Sequence, residues 1–291
     1  MNFQRHPPST EEIFVDHITH VVEDLNAANA DLVKYGFSTS KTADKLPKRE
    51  PLSIEIILGQ GFIKITKSPE YLFSHNNRPS ISGLALETNN LEGTQGRLTL
   101  SGFHPLPLAQ EIFWKTNSYG DSIKADASVC KLRKSDMAEA YVEFIFHDPE
   151  NSLWQGSNPS HDNSIQALRD IVVGVDDPDE AAGRYSWFAN KGSLKKIGDL
   201  GWRITLDRGN LIICQSSTLG TLMNAQMLQE TTGIIAYSVL SESLEDTFEF
   251  FKNKQLNVKK IHESLLLLPL PESVGGCVFI GEKDSEFPWN D

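Results

Sequence analysis

Between Phe14 and Phe37 the chain reads as a strand followed by a helix. Apolar residues alternate through Phe14 to Val22, Asp24 can cap a helix, Leu25, Ala28 and Leu32 fall at helical spacing, and Gly36 stops the helix. The same order returns three more times. A shift of 66 positions lays Ile81 to Phe103 over this stretch without a gap, matching Leu25 with Leu91, Leu32 with Leu98, Gly36 with Gly102 and Phe37 with Phe103. A shift of 153 positions sets Asp177 over Asp24, puts Pro178 in the first helical turn and leaves Gly192 to close the helix three residues late. Ala181 and Tyr185 form its apolar face. A shift of 219 positions makes Gly233 to Leu240 a strand, Ser243 a cap, and Leu244, Thr247 and Phe251 one helical face.

Short alternating or apolar runs separated by turn residues come after each helix, the pattern of antiparallel strands. They cover Phe37 to Ser40, Ser53 to Leu58 and Phe62 to Thr66 in the first copy, with Gly59-Gln60-Gly61 as a tight turn. The second copy has Glu111 to Asn117, Ala127 to Arg133 and Ala140 to Phe146. The third has Leu194 to Ile197, Trp202 to Leu206 and Asn210 to Cys214, and the fourth Val258 to Ile261, Ser264 to Leu268 and Gly276 to Ile280. Each unit is thus βαβββ, and because one such unit leaves a sheet face uncovered, units pair. The expected fold is α+β: four modules forming two curled mixed sheets with helices outside.

The expected division is an N-terminal domain over 13–148 (modules 13–68 and 80–148), a polar linker over 149–164, and a C-terminal domain over 165–282 (modules 165–217 and 231–282). The first module pairs with the second, and the third with the fourth. Between the last two, Leu219 to Glu230 has no helix breaker inside and reads as a connecting helix whose methionines fill core gaps.

Composition narrows the classes of function. The chain has 291 residues, 39% of them hydrophobic and 23% charged, which describes a globular protein. A net charge of -12 argues against nucleic acid or an anionic membrane as partner, since each needs a basic footprint. Cys130, Cys214 and Cys277 lie far apart and form neither a disulfide framework nor a zinc motif. The first residues lack the apolar core of a signal peptide, and the most apolar run, Leu265 to Leu268, is far below the roughly 20 residues that span a bilayer. The expectation is a cytoplasmic protein with a small-molecule partner; a homodimer is admitted, and the sequence does not decide it. No P-loop, dinucleotide fingerprint, EF-hand or nucleophile elbow stands in register.

Four such modules, opened by Asp16-His-Ile-Thr-His-Val-Val-Glu-Asp-Leu25, resemble the vicinal oxygen chelate superfamily, which includes glyoxalase I, extradiol dioxygenases and fosfomycin-resistance proteins. The likeness runs from about Ile13 to Glu282. Within it, His147-Asp-Pro-Glu-Asn-Ser-Leu-Trp154 followed by His161-Asp-Asn163 resembles the junction of the larger, four-module glyoxalase-like members. The resemblance implies a cup in which a divalent ion, zinc, nickel, iron or manganese, binds two neighbouring substrate oxygens. Its ligands come from the first strand of a module, as His or Gln, and from the last, as Glu.

At those positions the four modules carry His17 and Lys64, Gly83 and Glu143, Asp170 and Ile212, and Ala236 and about Phe279. His17 and Glu143 match by type and are the candidate catalytic residues and metal ligands. Two ligands fall short of the three usual for catalytic zinc. Alternation turns His17 inward with Val15, Thr19 and Val21, and sends Ile18, His20 and Val22 to the other face, where His20 is structural. Thr19, Lys64 and His147 are the candidate ligand-binding residues. Each has a plainer reading: a satisfied core histidine for His17, a Lys64–Glu143 ion pair for the buried charges, and a solvated strand end for His147. The first cup retains His17, Thr19, Lys64 and Glu143, whereas the second offers Asp170 among apolar positions. Two functions remain. One is a protein binding a small organic ligand in the N-terminal cup without metal, Lys64 standing where the ion would be. The other is a divalent-metal-dependent lyase, isomerase or dioxygenase, and whether the chain is an enzyme stays open between them.

Overall fold

A computed structural model describes residues 4–43, 53–67, 78–116, 122–148, 154, 160–221, 223 and 232–290. The first module comprises β1 (Phe14–Val22), α1 (Leu25–Lys34), β2 (Ser40–Ala43), β3 (Ser53–Ile57) and β4 (Phe62–Lys67). The second comprises β5 (Ser80–Glu87), α2 (Leu91–Leu100), β6 (Ala109–Thr116), β7 (Ser122–Lys131) and β8 (Tyr141–His147). The third is β9 (Ile165–Val175), α3 (Pro178–Ala189), β10 (Leu194–Ile197), β11 (Gly201–Thr205) and β12 (Asn210–Gln215). The fourth is β13 (Gly233–Ser241), α4 (Leu244–Asn253), β14 (Lys259–His262), β15 (Leu265–Pro269) and β16 (Cys277–Gly281).

Each helix starts where a polar side chain satisfies its orphan amides. Asp24 accepts from the amides of Asn26 and Ala27, Asn90 from Gly93, Asp177 from Asp179 and Glu180, and Ser243 from Asp246. Such a cap is worth about 1 kcal/mol. Gly36 and Gly102 come after α1 and α2 in the left-handed region, at φ 84° and 85°. In α3 that conformation falls on Asn190, not on Gly192; asparagine tolerates it because its short polar side chain bonds locally.

The eight strands of the first two modules close into a barrel in the order β1-β4-β3-β2-β6-β7-β8-β5. Closure comes from β2 meeting β6 at one seam and β1 meeting β5 at the other. The last two modules form an open eight-stranded sheet, β10-β11-β12-β9-β13-β16-β15-β14. Its edge strands β10 and β14 carry Lys195, Lys196, Lys259 and Lys260, charges that discourage pairing with another chain.

One apolar core joins the halves. Ile18, Leu84 and Leu86 from the barrel wall pack with Ile171, Val173, Tyr237 and Val239 and with the buried faces of the helices. His20 lies in this seam, not against its own helix: Nδ1 donates to the Val274 carbonyl at 3.2 Å and the ring meets Tyr237 edge-on. The residues of the junction motif act as clamps on the barrel. Trp154 Nε1 donates to the Leu58 carbonyl at 2.8 Å, His161 Nε2 to that of Ile57 at 3.1 Å, and Asn163 Nδ2 to that of Tyr35 at 2.9 Å.

The connecting helix expected over 219–230 falls mostly outside the described residues. Those described there are a 3-10 turn, Ser216–Thr221, and a buried Met223. Residues 149–153 and 155–159 of the expected linker are likewise outside. Among the described residues no helix is long and apolar enough to cross a membrane.

Candidate functional site

The barrel interior is organised by an irregularity in β1. In the β1–β5 ladder Val15 pairs with Leu86 and His17 with Ala85, so Asp16 is the extra residue of a bulge. A bulge re-aims a side chain that strict alternation would send elsewhere. Asp16, fully buried, accepts from His17 Nδ1 at Oδ2 (2.6 Å) and from His147 Nε2 at Oδ1 (3.1 Å). With Nδ1 committed to Asp16, His17 presents Nε2 to the cup, where Glu143 Oε1 stands 3.7 Å away. The imidazole is stacked on Phe62 with ring centroids 4.3 Å apart. Asp16 thus fixes both the tautomer and the orientation of His17, as an outer carboxylate does for many functional histidines.

The charges behind His17 are held by one another. Burial alone pushes the Asp16 carboxyl up, but the two imidazoles, His147 first, outweigh it and leave it below the usual carboxylate range. Burial likewise pulls His147 down, and Asp16 outweighs that, so His147 sits above the ordinary histidine value. On the far side of His147, His6 Nδ1 lies 2.5 Å from Glu87 Oε1, and burial raises the Glu87 carboxyl.

His17, Glu55, Phe62, Lys64, Glu111, Phe113, Glu143 and Ile145 line the cup. The space left between these side chains is about 10 Å³, room for one water. Lys131 at the mouth contacts Glu111 and lies 3.9 Å from Glu143. Burial raises the Glu111 carboxyl, but the Lys131 hydrogen bond and the Lys64 charge prevail and bring it below its ordinary value.

His17 and Glu143 therefore face each other, with Lys64 in the same cup. The expected Lys64–Glu143 ion pair is not formed: Glu143 has His17 and Lys131 within 4 Å, while β1 and β5 lie between the strand of Lys64 and that of Glu143. Thr19 pairs with Lys64 across the ladder but does not line the cavity; its Cβ lies against Gly83. His147 is neither solvated nor in the cavity. It is buried behind His17, edge-on to Trp154. Asp16, Glu55 and Glu111 lie outside the residues that sequence patterning selects. The one local signal for Asp16 is a carboxylate beside a histidine within an apolar strand.

Among the described residues, the corresponding place in the second sheet is filled by side chains. Asp170, the counterpart of His17 in the 153-residue repeat, is buried and held by side-chain donors on both oxygens. Trp289 Nε1 (2.7 Å) and Ser238 Oγ (2.9 Å) donate to Oδ2, and Asn210 Nδ2 (2.6 Å) to Oδ1. Val172, Ile212, Ala236, Leu267, Phe279, Phe287 and Trp289 fill the rest.

The chelate resemblance implies a divalent ion, and the donor set can be tested against one. Among the described residues no group of three or more His, Cys, Asp or Glu side chains is arranged to hold an ion. His17 Nε2 and Glu143 supply two donors, the carboxylates of Glu55 and Glu111 line the same cup without joining them in such a group, and the ammonium groups of Lys64 and Lys131 stand beside them. These residues do not complete a metal centre.

No family model matches the chain, and no curated protein matches it. Solved structures do. A hypothetical protein from Staphylococcus aureus aligns with a TM-score of 0.60 at 9% identity, over 92% of this chain and 98% of that one. The Mn(II)-bound glyoxalase from Novosphingobium aromaticivorans gives 0.51 at 10% identity, over 93% and 81%. A catechol 2,3-dioxygenase gives 0.51 at 11% identity, over 92% and 91%. At such identities the likeness concerns the path of the chain and not its chemistry. Four βαβββ modules paired into two curled sheets, superposing along nearly the whole chain on a glyoxalase and a dioxygenase, give this protein the vicinal oxygen chelate fold.

Proposed function

We propose that this protein binds a small organic ligand in the first cup, without requiring a metal ion. One observation carries the reading. His17 Nε2, oriented by Asp16 and backed by His147, points at Glu143 in a cup that also holds Lys64, while the corresponding place in the second sheet is filled by protein. Converging polar groups between apolar walls, here Phe62, Phe113 and Ile145, are what a small-molecule site requires. The ammonium of Lys64 suits a carbonyl, carboxylate or phenolate oxygen, and the imidazole and Glu143 suit its acidic hydrogen. Since the free space is about 10 Å³, binding requires side chains at the mouth to move; Lys131 and Glu143, 47% and 18% exposed, are placed to do so.

The test is a thermal-shift screen of small carbonyl compounds, catechols and thiol conjugates against wild type, His17→Ala and Asp170→Ala. A ligand of the first cup loses its stabilisation in His17→Ala and keeps it in Asp170→Ala. The reverse pattern overturns the reading.

A second reading, a divalent-metal-dependent lyase, isomerase or dioxygenase, is favoured by the 3.7 Å approach of His17 Nε2 to Glu143 Oε1, two residues of the expected ligand types. Metal analysis of protein purified without chelator or His tag decides between them. Stoichiometric zinc, nickel, iron or manganese that is lost in His17→Ala selects the second reading, and substoichiometric metal the first.

A further inference from the structure

After β16 the chain leaves the sheet and folds back over its concave side. A 3-10 turn, Asp284–Glu286, brings Phe287 and Trp289 into the interior, where both are buried and stacked on each other with centroids 5.8 Å apart. Trp289 is also edge-on to Phe279 at 5.2 Å. Its N–H meets Asp170, the repeat counterpart of His17, at 2.7 Å. The indole therefore occupies in the second cup the place where the first keeps its converging polar groups. It does so as a ligand would, with a planar ring against Phe279 and one donor on a buried carboxylate.

The segment is attached in a way that permits its removal. Among the described residues, the backbone hydrogen bonds of 283–290 close within the segment itself: Glu286 to Lys283, Phe287 to Asp284 and Asn290 to Phe287. None belongs to the sheet ladder, whose outer half is complete through β16, β15 and β14. Side chains supply the remaining anchors, chiefly Arg203 Nη1 on the Trp289 carbonyl at 3.0 Å and Arg169 on the exposed Asp284 at 3.0 Å. Detaching the segment breaks side-chain contacts but no strand pairing.

We propose that the second cup is a binding site now filled by the chain's own C-terminal segment, and that it accepts a planar aromatic molecule bearing one ring N–H donor, with Asp170 as its anchor. Asn210 holds Oδ1, and Ser238 donates to Oδ2 beside the indole N–H, so the carboxylate is fixed in place to accept from the ring. A ring of similar shape without the N–H leaves that buried acceptor short of a partner, so the site discriminates by the donor. The site is independent of the first cup, and His17→Ala leaves it unchanged.

The experiment uses the full chain with Trp289→Gly and two probes, indole and 1-methylindole. Indole is expected to raise the melting temperature of the variant and leave that of wild type unmoved, with 1-methylindole at least tenfold weaker. Absence of stabilisation by indole, or equal stabilisation by both probes, overturns the proposal. Wild type supplies a measurement that does not depend on the variant folding. Amide hydrogen exchange at Phe287 and Asn290 is expected to be faster than in β16, through opening of the segment alone. Exchange of these amides only together with Cys277–Gly281 shows that the segment does not leave independently and refutes its role as a removable occupant.

Discussion

Asp16 and His17 are consecutive strand residues, yet the carboxylate of one closes on the imidazole of the other at 2.6 Å. Neighbours in a regular strand face opposite ways; the bulge in β1 brings these two to one side. The same carboxylate is the counter-charge of His147. Asp16→Ala removes the buried carboxylate that holds both histidines, and we expect a loss of about 3 to 5 kcal/mol in urea unfolding. A loss below about 1 kcal/mol would show that neither histidine depends on it.

Acid should unfold the protein through His20 and His161. Burial is the largest influence on both and lowers each to about 4, against an ordinary 6.5. His161 illustrates the reason: Nδ1 accepts from the Ser38 amide at 3.0 Å and Nε2 donates to Ile57, so no nitrogen is left for a second proton. Between pH 6.5 and 4 the unfolded chain binds more protons than the folded one, so stability falls as pH falls through that window. Each residue contributes about 3 kcal/mol to the decline. His147, raised above 6.5, has its effect at higher pH, where stability is lost as pH rises through its folded value. Unfolding free energy measured against pH should show the acid slope, roughly halved in His161→Gln, and a flat profile from pH 6.5 to 4 would refute it.

Lys64 and Glu143 line one cup without pairing. In a double-mutant cycle of Lys64→Met and Glu143→Gln the two effects should add within about 0.5 kcal/mol. A coupling of about 2 kcal/mol or more, on the order expected of a buried ion pair, would restore the pairing that sequence patterning suggested.

The halves meet where the loop before β16 presses on the start of β5. Gly275 has φ 74°, and a Cβ there would lie 2.0 Å from the Pro79 carbonyl oxygen. Gly275→Ala should cost about 2 to 4 kcal/mol, from the left-handed backbone and the clash together. Urea unfolding that matches wild type would mean the loop yields freely and does not help join the halves.

The modules, their order and the caps of α1, α3 and α4 were legible in the sequence because each depends on residues a few positions apart. Periodicity locates the helices, and Asp24, Asp177 and Ser243 act on amides within one turn. The 66-residue repeat likewise carried the pairing of modules, since two copies of one pattern need the same cover. His17 and Glu143 emerged from the resemblance to the vicinal oxygen chelate superfamily, which implies ligands on the first and last strands of a module, and the structure brings them within 3.7 Å. Only the tertiary structure decided the relations between strands distant in sequence. A one-residue bulge turns Asp16 toward His17, a buried carboxylate 131 positions earlier claims His147, and ring closure separates Lys64 from Glu143. The carboxylate of Asp170 meets an indole 119 positions away. Register, bulges and the path of a terminal segment are set by packing summed over the whole sheet, and a local pattern carries no record of that sum.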